Sequence, residues 1–405
     1  MDNPRVLLCV TGGIAAYKAC EVLRGLQKAG CDVRVAMTES ARRFVGEVTF
    51  EALSGAPVAY DLFGHAETAI PHIQLSGWAD VALVCPCTAN VMAKVAHGIA
   101  DDCVSATLLA CDVPVLVAPA MNTRMWENPA TQDNLATREA RGVSLVLPAE
   151  GRLACGDVGT GKLASVDEIV DATLGELWAA RNGRPLAGRS VVITAGPTHE
   201  AIDPVRFIAN ASSGKMGYAL ARAARDAGAS VTLVSGPVAL AAPHDVEVVR
   251  VTSAAQMLEA TCRAFEGADV AILAAAVADY TPASPADHKL KKAHERLDTV
   301  ELVETADILA TISAAKGRRV VVGFAAETND LVANATAKLS RKGCDMIVAN
   351  DVSRAESTFG SDTNRVTLVT PDGSEQLELM SKDDVAHAIV SRVASLLAQG
   401  SSEGA

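Results

Sequence analysis

Aromatic residues are scarce in this sequence: 3 Trp, 4 Tyr and 7 Phe among 405 positions. The cores must therefore be aliphatic, a composition suited to parallel sheets covered by helices. A long apolar run is also missing. The most apolar stretch, residues 270–278, lies between Asp269 and Asp279 and is too short to cross a bilayer. No secretory leader is visible, since Asp2 and Arg5 precede a short apolar run that ends in glycines. None of the ten cysteines forms a C-x-x-C pair, so zinc-finger spacing is absent. Short repeats are absent, and the only low-complexity tract is the polar tail at 399–405. Positive charge is in deficit, with 36 Lys and Arg against 48 Asp and Glu, net −12. A field of that sign opposes nucleic acid or anionic membrane as the main partner. Phosphate recognition is left to backbone N–H groups and a few placed cations. These absences predict a reducing, cytoplasmic, soluble protein that handles small molecules.

Apolar residues make up 49% of the chain, and at roughly 150 residues per domain its length suits two or three domains. A seam falls near 181–188, where a helix-like stretch ends in RNGRP (181–185). We expect domains at 1–180 and 189–400 joined by that linker. Both open alike, RVLLCVTGG (5–13) and RSVVITAGP (189–197), each a buried strand running into a glycine turn. Strands are expected at 5–11, 32–37, 80–85, 113–118 and 143–147, then at 190–195, 230–235, 246–251, 269–275, 320–325 and 345–349. Helices are expected at 15–29, 89–97, 102–110 and 166–180, then at 216–228, 254–266, 328–343 and 382–398. Residues 365–370 and 376–379 read as an edge hairpin around Pro371-Asp-Gly373. The alternation predicts an α/β fold of two doubly wound Rossmann-like domains, with ligands at the carboxyl ends of the strands.

In the first half, glycines at 12 and 13 follow the first strand and would let backbone approach a phosphate at a helix start. The pattern is not G-x-G-x-x-G, and no acidic residue ends the second strand, so a mononucleotide is preferred to NAD. Thr38-Glu-Ser40, Thr88, Asn90, Ser105, Thr107 and Met121-Asn122 recur at strand ends while the strands stay apolar. Helix caps could explain any one of these; four in succession point to a site. Cys155 is the one cysteine in a polar, Gly-rich loop, and so the candidate reactive thiol. Gly156 to Lys162 fits G-x-x-x-x-G-K, but Leu163 replaces the Ser or Thr that would hold magnesium, and no strand is expected before it. A Walker A loop is rejected there in favour of a mobile loop.

GGIAAYK (12–18), PHIQL (71–75), PCTAN (86–90), GIADD (98–102) and PAMNTRMW (119–126) resemble the FMN-dependent cysteine decarboxylases. RLACGD (152–157) narrows the resemblance to phosphopantothenoylcysteine decarboxylases, although Cys87 stands where that family usually has Ala. The resemblance implies a flavodoxin-like domain that holds FMN with Gly13, Ser40, Thr88, Asn90, Ser105 and Met121. It implies oxidation of a substrate thiol, which supplies the electron sink that decarboxylation needs. His72, read as lying in a loop, would be the base. Asn122 would grip the substrate carboxylate, and Cys155 would donate a proton at the end. His65 and His97 carry no motif and are read as structural.

In the second half, AGPT (195–198) is again a glycine turn, and RFIANASSGKMG (206–217) runs into a helix with Ser212, Ser213 and Gly214 at its start. Lys215 invites a P-loop reading, but the glycine spacing and the following Ser or Thr are missing. Asp279 ends a buried strand, where a metal or ribose contact would lie. Lysines cluster at 289–292 and 338–342, and residues 181–405 are less acidic (23 basic, 27 acidic) than residues 1–180 (13 and 21). Those motifs, with AAAVADY (274–280), KLKK (289–292), GFAAE (323–327) and VANDVS (348–353), resemble phosphopantothenate–cysteine ligases. Both halves in this order resemble the bacterial bifunctional enzymes of coenzyme A synthesis. The resemblance implies activation of 4′-phosphopantothenate by CTP with Mg²⁺, then attack by L-cysteine on an acyl-cytidylate. Asn210 would hold that intermediate and Lys289 would serve its formation. Ser212, Asp279, Phe324, Lys338 and Lys342 would contact CTP, with Asp279 also at the metal. It further implies a homo-oligomer of trimeric decarboxylase cores and dimeric ligase domains, a dodecamer. The competing readings are a flavoprotein acting on another thiol or prenyl substrate, fused to an unrelated nucleotide-binding domain, and a non-enzymatic flavodoxin-like binding or electron-transfer module.

Overall fold

Strand β1, Arg5–Val10, buries five consecutive residues, Val6 to Val10. A strand apolar on both faces has to be covered on both, and the chain supplies helices for each side. The computed structural model describes residues 3–63, 70–291, 298–327, 330–351 and 360–402. The chain divides into two compact units, Met1–Gly183 and Arg184–Ala405.

In the first unit β1 is joined by β2 (Asp32–Met37), β3 (Val81–Cys87), β4 (Val115–Pro119) and β5 (Ser144–Leu145) in a parallel sheet ordered β2-β1-β3-β4-β5. Val6, Leu8 and Val10 face one way, onto helices Lys18–Lys28 and Val166–Asn182. Leu7 and Cys9 face the other, onto helices Pro71–Trp78, Ala89–His97 and Cys103–Ala110. Helix Lys18–Lys28 buries Ala19, Val22, Leu23 and Leu26, an i, i+3, i+4, i+7 stripe, and the chain leaves it through Gly30 at φ +84°. Burial of each such Leu or Val contributes about 1.5–3 kcal/mol.

Two sequence expectations change here. The RLACGD segment is not a bare loop: β6 (Ala149–Arg152) and β7 (Val158–Lys162) pair antiparallel as a hairpin, with Cys155 on its turn. A strand therefore does precede Gly156. The Walker A reading still fails, because Gly156 to Lys162 forms a turn and return strand with no helix directly after. Helices Glu47–Ser54, Pro71–Trp78 and Pro129–Glu139 also lie where none was expected.

The second unit carries β8 (Ser190–Ala195), β9 (Ser230–Ser235), β10 (Glu247–Arg250), β11 (Val270–Leu273), β12 (Val320–Glu327), β13 (Met346–Asp351), β14 (Val366–Thr370) and β15 (Gly373–Gln376). They lie in the order β10-β9-β8-β11-β12-β13-β14-β15. The first six are parallel; β14 and β15 run antiparallel, so this sheet is mixed rather than purely parallel. The expected hairpin exists, but β14 is fully buried and only β15 forms the edge, starting at Gly373. The chain reaches this sheet directly after the first unit. Its last helix there runs through Asn182, and buried Leu186 already donates its N–H to Ala227 O.

Candidate functional sites

In the first sheet the strand order reverses between β1 and β3, which is where an open α/β sheet leaves a crevice at its carboxyl edge. Thr11 knits that point together. Its Oγ1 donates to Pro86 O at 2.6 Å and accepts the Thr88 N–H at 3.1 Å. Gly12 is the glycine that packing requires, since a Cβ there would come 2.3 Å from Ser40 Cβ. At Gly13 a Cβ would meet only Thr88 Cγ2, at 3.9 Å, so the space in front of it stays open. Exposed Ile14 and Tyr17 flank it.

Several predicted FMN contacts also have structural duties. Thr88 caps helix Ala89–His97 through Val91 N–H, and Ser105 forms a capping box with Asp102. Thr107 is buried and bonded to Cys103 O. Ser40 and Asn90 lie exposed at the starts of their helices, and Met121 is half-buried after β4. The open glycine turn with apolar neighbours fits a phosphate-bearing planar ring. Gly13, Ser40, Asn90 and Met121 are the better placed to hold one.

His72 does not lie in a loop. It occupies the first turn of helix Pro71–Trp78, where Pro71 at the first position has its fixed φ and missing donor at no cost. Its Nδ1 is buried with no hydrogen-bond partner among the described residues. Such an atom costs about 1–3 kcal/mol and marks a place where a ligand partner fits.

Asn122 and Cys155, 33 positions apart, are brought together. Asn122 caps helix Thr123–Trp126 with Oδ1 on Arg124 N–H at 2.9 Å, and its Nδ2 donates to Cys155 Sγ at 3.2 Å. Asp157, which sequence reading left without a role, completes the group: its Oδ2 accepts from Asn122 Nδ2 at 3.2 Å and from Cys155 Sγ at 3.5 Å. The glycines of the rejected phosphate motif explain the closeness. A Cβ on Gly161 would lie 2.3 Å from Met121 O, and one on Gly159 would lie 2.7 Å from Thr123 Oγ1. They admit the hairpin against residues 121–123. The other cysteines are mostly core residues; burial pushes the Cys85 and Cys87 thiols up to about 12.

The second unit reverses its strand order between β8 and β11, and a cavity of about 750 Å³ opens at that edge. Gly217 lets helix Lys215–Asp226 press on β8, since its Cβ would lie 2.5 Å from Ala195 Cβ. Gly214, at φ +75°, starts that helix and lines the cavity with Ser212 and Ser213, whose hydroxyls accept the Gly214 and Lys215 N–H groups at 3.3 and 3.4 Å. The structure brings Asn210, Ser212, Asp279, Phe324, Lys338 and Lys342 to this one cavity. Asn210 is anchored by Nδ2 on Val277 O at 2.8 Å, and Lys338 donates to Phe324 O at 2.8 Å. Lys289 is not brought there. It is exposed beside Leu290, whose carbonyl accepts from Arg206. Lys292, Val352 and Ser353 lie outside the described residues, as does His65.

Sequence reading missed the rest of the charge lining. Lys215 joins the cavity although its P-loop spacing was wrong; its Nζ donates to Asp362 Oδ1 at 2.6 Å. Lys382, only 7% exposed, donates to Ser361 O, and burial with the nearby Lys215 charge lowers its pKa. Lys342 pairs with Asp307. Burial pushes the Asp307 carboxyl up, but the bonds from Lys342 and Ala310 N–H outweigh it and hold it below the usual range. Among the described residues, five cations, Lys215, Lys338, Arg341, Lys342 and Lys382, line the cavity with three acids, Asp279, Glu304 and Asp307. Among the described residues no three His, Cys, Asp or Glu gather to hold a metal ion. Asp279 lines this cavity as an exposed acid.

Comparison with known proteins covers both units. Residues 1–177 match the Flavoprotein family model, and residues 186–397 match that of the DNA/pantothenate metabolism flavoprotein C-terminal domain. The coenzyme A biosynthesis bifunctional protein CoaBC of Bacillus subtilis (strain 168) is 48% identical over 402 residues, 98% of each chain. That of Vibrio vulnificus (strain YJ016) is 44% identical over 400 residues, 98% of this chain and 99% of the other. A crystal structure of the C-terminal domain of a CoaBC protein is 43% identical, covers 53% of this chain and 99% of its own, and superposes with a TM-score of 0.46.

Proposed function

This chain belongs to the family of coenzyme A biosynthesis bifunctional proteins, and from that premise we infer that it catalyses two successive reactions. The second unit is a phosphopantothenate–cysteine ligase. The first is an FMN-dependent phosphopantothenoylcysteine decarboxylase that converts the ligated product to 4′-phosphopantetheine. The observation that carries this reading is likeness over nearly the whole length of both chains, which a flavoprotein fused to an unrelated nucleotide domain would not have.

FMN, when bound, supplies the two-electron exchange with the substrate thiol. The chain's own residues bind and move protons. His72 takes a proton at its imidazole. Asn122, its Oδ1 fixed on Arg124 N–H, presents Nδ2 to the substrate carboxylate. Cys155 returns a proton from Sγ. In the ligase, condensing a carboxylate with an amine in water is unfavourable and needs activation, here as an acyl-cytidylate from CTP. Lys338, Lys342 and the buried Lys382 offset the triphosphate charge, and Asp279 would hold Mg²⁺, which would supply further neutralisation of the phosphates. Ser212 and the helix start at Gly214 receive phosphate, and Asn210 holds the acyl-cytidylate while the cysteine amine attacks. Lys289 remains a residue for formation of that intermediate, from outside the lining of this cavity.

We further propose a homo-oligomer of trimeric decarboxylase cores and dimeric ligase units, together a dodecamer. Exposed Ile70 and Ile73 beside His72, and exposed Phe207, Tyr280, Leu302 and Val303 on short ribbons of the second unit, support subunit contact. Light scattering should give about twelve chains; a monomer would contradict it. A cytoplasmic setting fits these substrates, and no described helix is long and apolar enough to cross a membrane.

The test is one reaction. Purified protein should be yellow and should turn 4′-phosphopantothenate, cysteine and CTP into 4′-phosphopantetheine and pyrophosphate, read by mass spectrometry with ATP as the control nucleotide. Absence of both products would overturn the reading.

A further inference from the structure

We propose that Asp157 stands in for the substrate carboxylate on Asn122, and gives up that place when the substrate binds. The proposal rests on the decarboxylase reading above and adds a residue to it.

The geometry leaves Asn122 one group to offer. Its Oδ1 is committed to the Arg124 N–H, so the amide cannot turn over, and only the two N–H bonds of Nδ2 face the hairpin. A carboxylate oxygen of the chain itself already sits there, Asp157 Oδ2 at 3.2 Å. Burial does not force this contact, because Asp157 is exposed and water would serve it as well. Cys155 shares the arrangement, 3.2 Å from the amide nitrogen and 3.5 Å from the same carboxylate oxygen. The turn that carries both residues is closed by Leu153 N–H on Asp157 O at 2.8 Å and Gly156 N–H on Leu153 O at 2.9 Å. Asp157 and Cys155 therefore move together, on a hairpin anchored at the Gly159 and Gly161 end.

One neutral amide cannot hold two carboxylates side by side without their repulsion. A substrate carboxylate that takes Nδ2 must therefore evict Asp157, and the Cys155 thiol leaves with it. When that carboxylate departs as carbon dioxide, the amide is free, Asp157 returns, and the thiol comes back to the reacting centre. The exchange makes and breaks hydrogen bonds only. Its effect is order: the proton donor is withheld while the carboxylate is present and delivered once it has gone.

Two ligands and two variants of the full-length, flavin-loaded protein test this by calorimetry. The serine analogue of the substrate keeps the carboxylate but has a hydroxyl for the thiol; 4′-phosphopantetheine lacks the carboxylate. Asp157→Ala should bind the serine analogue about three- to tenfold more tightly, the net worth of one solvent-exposed hydrogen bond. Binding of 4′-phosphopantetheine should stay within about twofold. Asp157→Asn, which keeps a hydrogen-bonding oxygen without the charge, should fall between. In turnover, Asp157→Ala should lower KM and kcat together. Equal weakening of both ligands would mean that Asp157 only supports the hairpin, and unchanged analogue affinity would remove the stand-in role. If wild-type protein binds neither ligand, the decarboxylase reading falls and this role falls with it.

Discussion

Gly161 leaves no space for a side chain: its φ is +138° and any Cβ would lie 2.3 Å from Met121 O. Since that neighbour is backbone, the hairpin would have to move. Gly161→Ala should therefore cost more than about 1 kcal/mol locally and lower decarboxylation at least tenfold with ligation unchanged, both followed in one sample. Gly46, whose Cβ would meet nothing within 4 Å, is the control, and Gly46→Ala should leave both rates alone. His72 and Cys155 carry the second prediction. His72→Asn and Cys155→Ser should accumulate phosphopantothenoylcysteine or an oxidised form of it, seen by mass spectrometry, and unchanged turnover would remove their roles. Cys155 was legible because it alone among the cysteines sits in a polar, glycine-rich segment. Asp157 was not, although it lies two residues away, because its role depends on Asn122 across 35 positions.

Among elements, the short ribbon His199–Ala201 with Phe207–Ala209 is held by one carboxylate. Asp203 accepts from the Val205 and Arg206 N–H groups, the Arg206 guanidinium and Leu290 N–H, and its side chain is inaccessible. The Arg206 guanidinium beside it holds its carboxyl well below the usual carboxylate range. A group depressed in this way stabilises the fold above its unfolded pKa of about 4, and that contribution fades as pH falls further. Asp203→Asn should lower Tm at pH 7, and its gap from wild type should shrink between about pH 5 and pH 2. A gap independent of pH would contradict this. The central strands could be read from sequence because they are apolar on both faces. Helix Pro129–Glu139 could not, since only Thr131 and Leu135 are buried and no apolar stripe betrays it. The sequence points His72 to a loop rather than a helix for a related reason: the proline before it can mark a turn or open a helix.

At the scale of the molecule, the division after Gly183 falls where a helix ends and buried Leu186 begins the second unit. Each unit has its own sheet and hydrophobic core. Residues 1–183 and 184–405, expressed separately, should each fold and keep one half-reaction, and a mixture should complete the sequence. Loss of either activity on separation would show that it needs the other half of the chain. The acidic total of −12 does not oppose a triphosphate, because among the described residues five cations line one cavity of the second unit.

The sequence by itself determined the two α/β halves, the loops at their strand ends and which residues there are candidates for the chemistry, because strand apolarity, glycine turns and motif spacing are local properties of the chain. Only the tertiary structure decided which glycines are obligatory, that Lys215 and Lys382 meet 167 positions apart at one cavity while Lys289 does not line it, and that Asn122, Cys155 and Asp157 form one cluster. Those outcomes depend on distances between segments far apart in the chain, set by how helices and a hairpin close onto the sheets, and no local pattern encodes them.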